Sequence, residues 1–171
     1  MRSIRRIFSV GTAALVLGAG LVAGSSAAAQ AAPSDCTGGA QGFTDIPDSL
    51  SGRGVGGAGA VIADFGGRPW AVASYAMQAG NVGGREMGWG VLTTSSSVWG
   101  PSAIGWVWMD VTNDPNKRSW IQCGPFTTTA SGARLTTAAY PTSSSSSRAF
   151  RVCAQITSAS PVSGITCTPW W

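Results

Sequence analysis

The residues of this 171-residue chain that could do chemistry are a group of tryptophans, seven carboxylates and four cysteines. Trp106, Trp108, Asp110, Trp120 and Gln122 fall close together in the sequence. Flat indoles beside a carboxylate and an amide suit stacking on sugar rings, with the polar groups meeting hydroxyls. The acids are Asp35, Asp45, Asp48, Asp64, Glu86, Asp110 and Asp114. A glycosidase needs two carboxylates across a cleft, one with a raised pKa. Asp110 is the best candidate for one of them, with Glu86 or Asp64 as its partner. The commoner role for such an aspartate is a hydrogen-bonded place on a hairpin.

Other chemistry is hard to build. The chain has no histidine, so Ser-His and Cys-His pairs are excluded. The one lysine, Lys117, falls in an expected exposed turn and offers no buried base for a Ser–Lys arrangement. Asp110, Asn113, Asp114 and Asn116 offer oxygen ligands but lack the EF-hand spacing. Asx residues around Pro115 read more simply as turn chemistry. The expectation is therefore a protein without catalytic residues, metal or cofactor.

These side chains need a scaffold, and residues 104–126 supply its centre. Two runs of β-branched and aromatic residues flank 113–117, which reads Asn-Asp-Pro-Asn-Lys, the pattern of a β-hairpin. With a five-residue loop, Thr112 pairs with Arg118. Side-chain alternation then puts Val107, Met109, Val111, Ile121 and Cys123 on one apolar face. Trp106, Trp108, Asp110, Trp120 and Gln122 take the other. This register sets Asp110 opposite Trp120 and Trp108 opposite Gln122. A four-residue loop would flip the faces, and the five-residue loop is preferred because it leaves one face cleanly apolar.

The N-terminus reads as a targeting segment, residues 1–31. Arg2, Arg5 and Arg6 precede an apolar run at 10–24 that is short for a membrane span. Ala29-Gln30-Ala31 fits a small-x-small cleavage pattern, with cleavage near Ala31. Arg5-Arg6 also fits part of a twin-arginine signal, although general export is the simpler route. The chain carries 11 Lys+Arg and 7 Asp+Glu. Loss of the three signal arginines leaves eight cations against seven anions, a net charge of +1. The cations are scattered, so nucleic-acid binding by counterion release is not expected. Nor is membrane association expected after cleavage.

All four cysteines, Cys36, Cys123, Cys153 and Cys167, follow the signal. An even count in an exported chain, without C-x-x-C spacing, reads as two disulfides rather than a metal site. If the last hairpin turns at Ser160, Cys153 faces Cys167 at a separation a disulfide can bridge. That leaves Cys36 for Cys123. The rival pairing, Cys36–Cys167 with Cys123–Cys153, stays open.

Residues 32–59 are rich in Gly and Ser and read as an irregular arm. Gly54, Gly56 and Gly59 match G-x-G-x-x-G, but a dinucleotide loop needs a strand before it and a helix after it. The run reads as a flexible lead-in instead. Residues 60–171 form the β domain. Strand-like runs recur at 60–65, 70–77, 87–94, 104–112, 118–123, 134–140, 149–157 and 164–170, separated by Gly, Pro and Ser. Short strands spaced this way predict an all-β fold, a small antiparallel β-sandwich or barrel with two disulfides. Eight tryptophans serve either core packing or an exposed platform. Burial of apolar area favours packing for the set, while the even-numbered hairpin face fits a platform.

Three segments carry a resemblance: 120–126 (Trp-Ile-Gln-Cys-Gly-Pro-Phe), 148–153 (Arg-Ala-Phe-Arg-Val-Cys) and 167–171 (Cys-Thr-Pro-Trp-Trp). With the Ala- and Gly-rich signal, the chain resembles small exported proteins of actinomycete-type bacteria. The resemblance implies secretion and a disulfide-bonded β fold, and it lends no activity or functional residue. The expected partner is a cell-wall or extracellular glycan bound through the aromatic face. A second expectation is an inhibitor or toxin-like factor that presents residues 113–118 to an extracellular protein. The third is the carboxylate-dependent glycosidase. Oligomeric state is not legible.

Overall fold

The computed structural model describes residues 33–64, 67–97, 102–157 and 163–171. The expected signal segment, Trp99 and the turn at Ser160 lie outside the described residues. Among the described residues two short 3₁₀ turns, Pro33–Asp35 and Ala40–Gly42, precede nine strands. These are β1 (Arg53–Asp64), β2 (Pro69–Val82), β3 (Arg85–Thr94), β4 (Ile104–Thr112), β5 (Ile121–Thr128), β6 (Arg134–Thr136), β7 (Tyr140–Pro141), β8 (Ala149–Thr157) and β9 (Thr166–Cys167). They build two antiparallel sheets, β1-β2-β3-β6 with β7 also on β3, and β5-β4-β8-β9. The fold is all-β and sandwich-like, with both disulfides formed.

The main core lies between the sheets, where β2 and β3 meet β4 and β8. Val61, Val72, Tyr75, Met77 and Leu92 come from one sheet; Val107, Met109, Val111, Phe150, Val152, Ala154 and Ile156 come from the other. The apolar hairpin face points inward as the alternation predicts: Val107, Met109, Val111 and Cys123 are buried, and Ile121 is half-buried. A second core covers the opposite face of the first sheet. There Met87, Trp89, Val91 and Ala139 are buried beneath Ile46, Leu50 and Val82. The arm is pinned over them by Asp48, which accepts from Thr136 N–H at 2.6 Å and Thr136 Oγ1 at 3.0 Å. Because β3 is covered on both sides, its residues from Met87 to Leu92 are continuously buried instead of alternating.

Trp89 shows how tightly this second layer is built. Its ring lies against Gly52 and Gly80, where an added Cβ would come within 2.7 Å and 3.1 Å of the indole. The glycines at these two positions are backbone clearance for one large side chain.

Several boundaries differ from the sequence reading, each for a physical reason. The arm is irregular only as far as Gly52, because β1 begins at Arg53 and takes in the glycine run. That run is a bulged strand and not a flexible lead-in. Gly56 and Gly57, at φ 64° and 109°, sit where the register jumps from Val55↔Met77 to Ala58↔Ala76. A Cβ on Gly56 would lie 2.4 Å from Trp171 Cβ, and one on Gly59 would lie 2.4 Å from Tyr75 Oη. The strand expected at 134–140 is two pieces, β6 and β7, separated where Thr137 N–H and Oγ1 bond to Gly90 instead. Of the arm expected at 164–170, only Thr166–Cys167 is regular strand. The chain returns to β8 at its end through two bonds between the Phe150 and Trp171 backbones, both 2.8 Å.

The central hairpin is corrected in register but not in face. Asp110 pairs with Gln122 and Val111 with Ile121, so the connection runs through residues 113–119 rather than 113–117. The expected pairings of Asp110 with Trp120 and of Trp108 with Gln122 therefore do not occur. A two-residue slip preserves side-chain phase, which is why the predicted faces survive. Asp114 explains the longer loop. Its carboxylate accepts from Asn116 N–H at 2.9 Å and Arg118 N–H at 2.8 Å, and its carbonyl accepts from Lys117 N–H at 2.9 Å. These bonds let Lys117 sit at φ 56°. Further along, a bulge at Gly124-Pro125 carries the register from Met109↔Cys123 to Val107↔Phe126.

The disulfides are Cys36–Cys123 and Cys153–Cys167. The first ties the arm to β5, and the second spans directly paired positions of β8 and β9. Two disulfides fit an oxidising compartment. No helix among the described residues is long and apolar enough to cross a membrane.

Candidate functional site: an aromatic sheet face

β4 places Trp106, Trp108 and Asp110 at alternate positions, so all three project from the outer face of the sheet β5-β4-β8-β9. Their neighbours in β8 are Gln155, Cys153 and Arg151 respectively. Gln122 joins them from β5, opposite Asp110. Trp106, Trp108 and Gln122 are half-buried, and Trp120 is 45% exposed. The Trp106 indole N–H donates to Thr157 Oγ1 at 2.9 Å, which fixes that ring across the β4–β8 pair.

Asp110 is at the centre of this face. Its side chain is almost wholly buried although it is on the outer side of the sheet. Arg151 Nε–H donates to Asp110 Oδ2 at 2.7 Å. The Arg151 guanidinium lies 4.9 Å from the Trp120 ring centroid and 4.7 Å from that of Trp170. The two indoles meet edge to face, centroids 6.2 Å apart. A cation packed over two indoles is attracted by both ring quadrupoles, roughly 0.5–2 kcal/mol each. It also roofs the carboxylate and shuts out water.

Burial pushes the Asp110 pKa up, and the hydrogen bond and charge of Arg151 pull against it without cancelling it. Asp110 Oδ1 is buried and makes no hydrogen bond. Asp114, in the adjoining loop, goes the other way: backbone N–H groups of Asn116 and Arg118 stabilise its carboxylate and lower its pKa.

A cleft of about 410 Å³ opens beside Trp120, lined by Val111, Thr112, Asn113, Asp114, Ser119 and Ile121. Its loop is held from both sides. Thr112 Oγ1 donates to Ser119 O at 2.5 Å and accepts from Asp114 N–H at 2.9 Å. Arg148 Nε–H donates to Asn113 Oδ1 at 2.7 Å. The face thus joins a ring platform, one ion pair and a stiff polar rim, an arrangement able to stack flat ligands and meet their polar edges.

The other candidate carboxylates are placed elsewhere. Glu86 is in β3 and Asp64 in β1, both in the opposite sheet. Glu86 pairs with Arg53, and Asp64 accepts from Gly67 N–H at 2.6 Å. Neither is the charge partner of Asp110.

Sequence reasoning missed two members of the site. Arg151 carries the one charge in β8, and its phase matches Cys153, which the disulfide argument had already set opposite Cys167. Placing it beside Asp110 required knowing that β8 pairs with β4. Trp170 and Trp171 separate at the end of the chain. Trp170 joins the outer face, whereas Trp171 packs on Phe150 with ring centroids 5.8 Å apart and stays 37% exposed.

The chain matches no protein-family model, no curated protein and no solved structure.

Proposed function

We propose that this is an exported, non-catalytic binding module of a bacterial cell surface or medium, and that it takes glycan through the outer face of β5-β4-β8-β9. One observation carries the reading. Trp106, Trp108, Trp120 and Trp170 gather on one side of one sheet, and the most exposed of them, Trp120, borders an open cleft. Exposed indoles grouped with polar side chains are what a saccharide platform requires. The two disulfides and the Ala-rich leader ending near Ala31 support export.

Titration of intrinsic tryptophan fluorescence with peptidoglycan fragments and polysaccharides tests the reading. The expected result is a saturable shift at up to about millimolar ligand, a binding free energy near 4 kcal/mol. No shift over that range removes it.

The stiffness of loop 113–119 favours a second reading, an inhibitor or toxin-like factor that presents this loop to an extracellular protein. Preorganised loops bind with less ordering cost. Recovery of a secreted hydrolase on the immobilised protein, lost when residues 115–118 are replaced by Gly-Ser, would select it over glycan binding. The glycosidase reading has Asp110 as its acid. It requires hydrolysis on a broad glycan panel that Asp110→Asn abolishes.

A further inference from the structure

Arg151 is less fully used than its surroundings suggest. A guanidinium has five N–H donors, and Arg151 commits one, Nε–H, to Asp110. Among the described residues its η nitrogens have no hydrogen-bond partner, and they are not among the buried polar atoms left unsatisfied. The side chain is 27% exposed. The group therefore has one edge fixed on Asp110, the rings of Trp120 and Trp170 packed on adjacent sides of it and inclined 61° to each other, and η nitrogens that reach solvent.

The outer edge that carries them is preorganised. Asp110 holds one edge of the guanidinium, and contact with the two indoles restricts its remaining motion. A planar fork of N–H donors matches the two oxygens of a carboxylate, and an arginine already immobilised loses little entropy on binding one. The neighbouring rings meanwhile offer flat apolar surface beside that fork.

From this geometry we infer that the face is selective for acidic saccharides: the outer edge of Arg151 takes a sugar carboxylate, and Trp120 and Trp170 pack against the ring that bears it. The inference rests on the glycan reading above and names the substrate class of that site. Because Asp110 already balances the charge of Arg151, the pair exerts little long-range field. Selectivity comes from short N–H···O⁻ contacts, so it holds at physiological ionic strength. Trp120 and the cleft beside it favour a saccharide over an acidic peptide, because a flat ring platform complements a pyranose face and gives an extended peptide little to pack on.

The test compares trigalacturonate with its methyl ester, which has the same rings without the charge, at about 0.15 M salt. Binding to the wild-type protein is read by tryptophan fluorescence. The acid is expected to bind at least about tenfold more tightly, as a charge-assisted bidentate contact implies. Arg151→Lys keeps the charge beside Asp110 but loses the fork, and should cut the preference to about threefold or less. Lys117→Gln with Arg118→Gln removes the nearby loop cations and should leave the preference intact. Equal binding of acid and ester overturns the inference while leaving the glycan reading standing. Binding of neither overturns both. Hexaglutamate binding as tightly as trigalacturonate also overturns it, as does a preference that survives Arg151→Lys or disappears with the loop cations. The wild-type comparison decides the matter even if a variant fails to fold.

Discussion

Removing the disulfides one at a time should separate the stability of this protein from its binding. Cys36–Cys123 closes a loop of 87 residues and Cys153–Cys167 one of 14. The chain-entropy relation gives about 4.6 kcal/mol for the first and about 3.0 kcal/mol for the second. The loops do not overlap in sequence, so the two contributions add, to a large share of the roughly 5–15 kcal/mol of an ordinary domain. Side-chain burial acts in the same direction, because Cys36 and Cys123 are both fully buried while Cys167 is exposed. Urea unfolding of Cys36→Ala/Cys123→Ala should therefore show the larger loss, by about 1.5 kcal/mol or more. Ligand affinity should show the opposite order, because Cys153–Cys167 anchors the chain end that carries Trp170 against Arg151. Equal stability losses, or a larger loss from the short loop, would refute the reasoning. So would a binding defect confined to the Cys36–Cys123 variant.

Further predictions concern the second core and the two perturbed carboxylates. Gly52→Ala should cost about 1–3 kcal/mol by driving a methyl into Trp89 and the Ala79 carbonyl; Gly54→Ala, with nothing within 4 Å, should be close to neutral, and thermal melts compare them. Asp110 has a raised pKa, so its contribution to stability is complete below the ordinary 3.8 and is lost as pH rises through its higher folded value. The stability of wild type minus that of Asp110→Asn should accordingly fall as pH rises above 3.8. Asp114 has a lowered pKa, so its contribution is present above 3.8 and is lost as pH drops below that value. The matching difference for Asp114→Asn should rise with pH, and denaturation at a series of pH values reads both slopes.

Much of the architecture is legible in local pattern. β4 and β8 fall on residues 104–112 and 149–157 as expected, because both are bounded by clear punctuation and rich in β-branched residues. The favoured disulfide pairing, Cys153–Cys167 from an expected hairpin and Cys36–Cys123 from what then remains, is the one that forms, and the rival pairing that stayed open is not. What escapes the sequence depends on partners distant in the chain. The glycine run 54–59 looks loose until Trp171 and Tyr75 are seen occupying the space its missing side chains leave. β3 fails to alternate because the arm covers its second face. The hairpin loop is longer than its turn residues imply because Asp114 accepts from Asn116, Lys117 and Arg118 N–H groups, which carries the bonded turn past Lys117. In the site, Trp106, Trp108, Trp120, Asp110 and Gln122 share a face as the alternation requires. Arg151 and Trp170 enter only once the strand order β5-β4-β8-β9 is known.

The central claim is that sugar rings stack on the outer face of β5-β4-β8-β9. Indole N–H signals in a nitrogen-proton correlation spectrum report each tryptophan separately during titration with cell-wall oligosaccharides. Shifts are expected at Trp120, Trp170 and Trp108 and none at Trp89, which is sealed in the second core. Unmoved signals at the first three, or shifts confined to Trp70 and Trp89 of the other sheet, would contradict it.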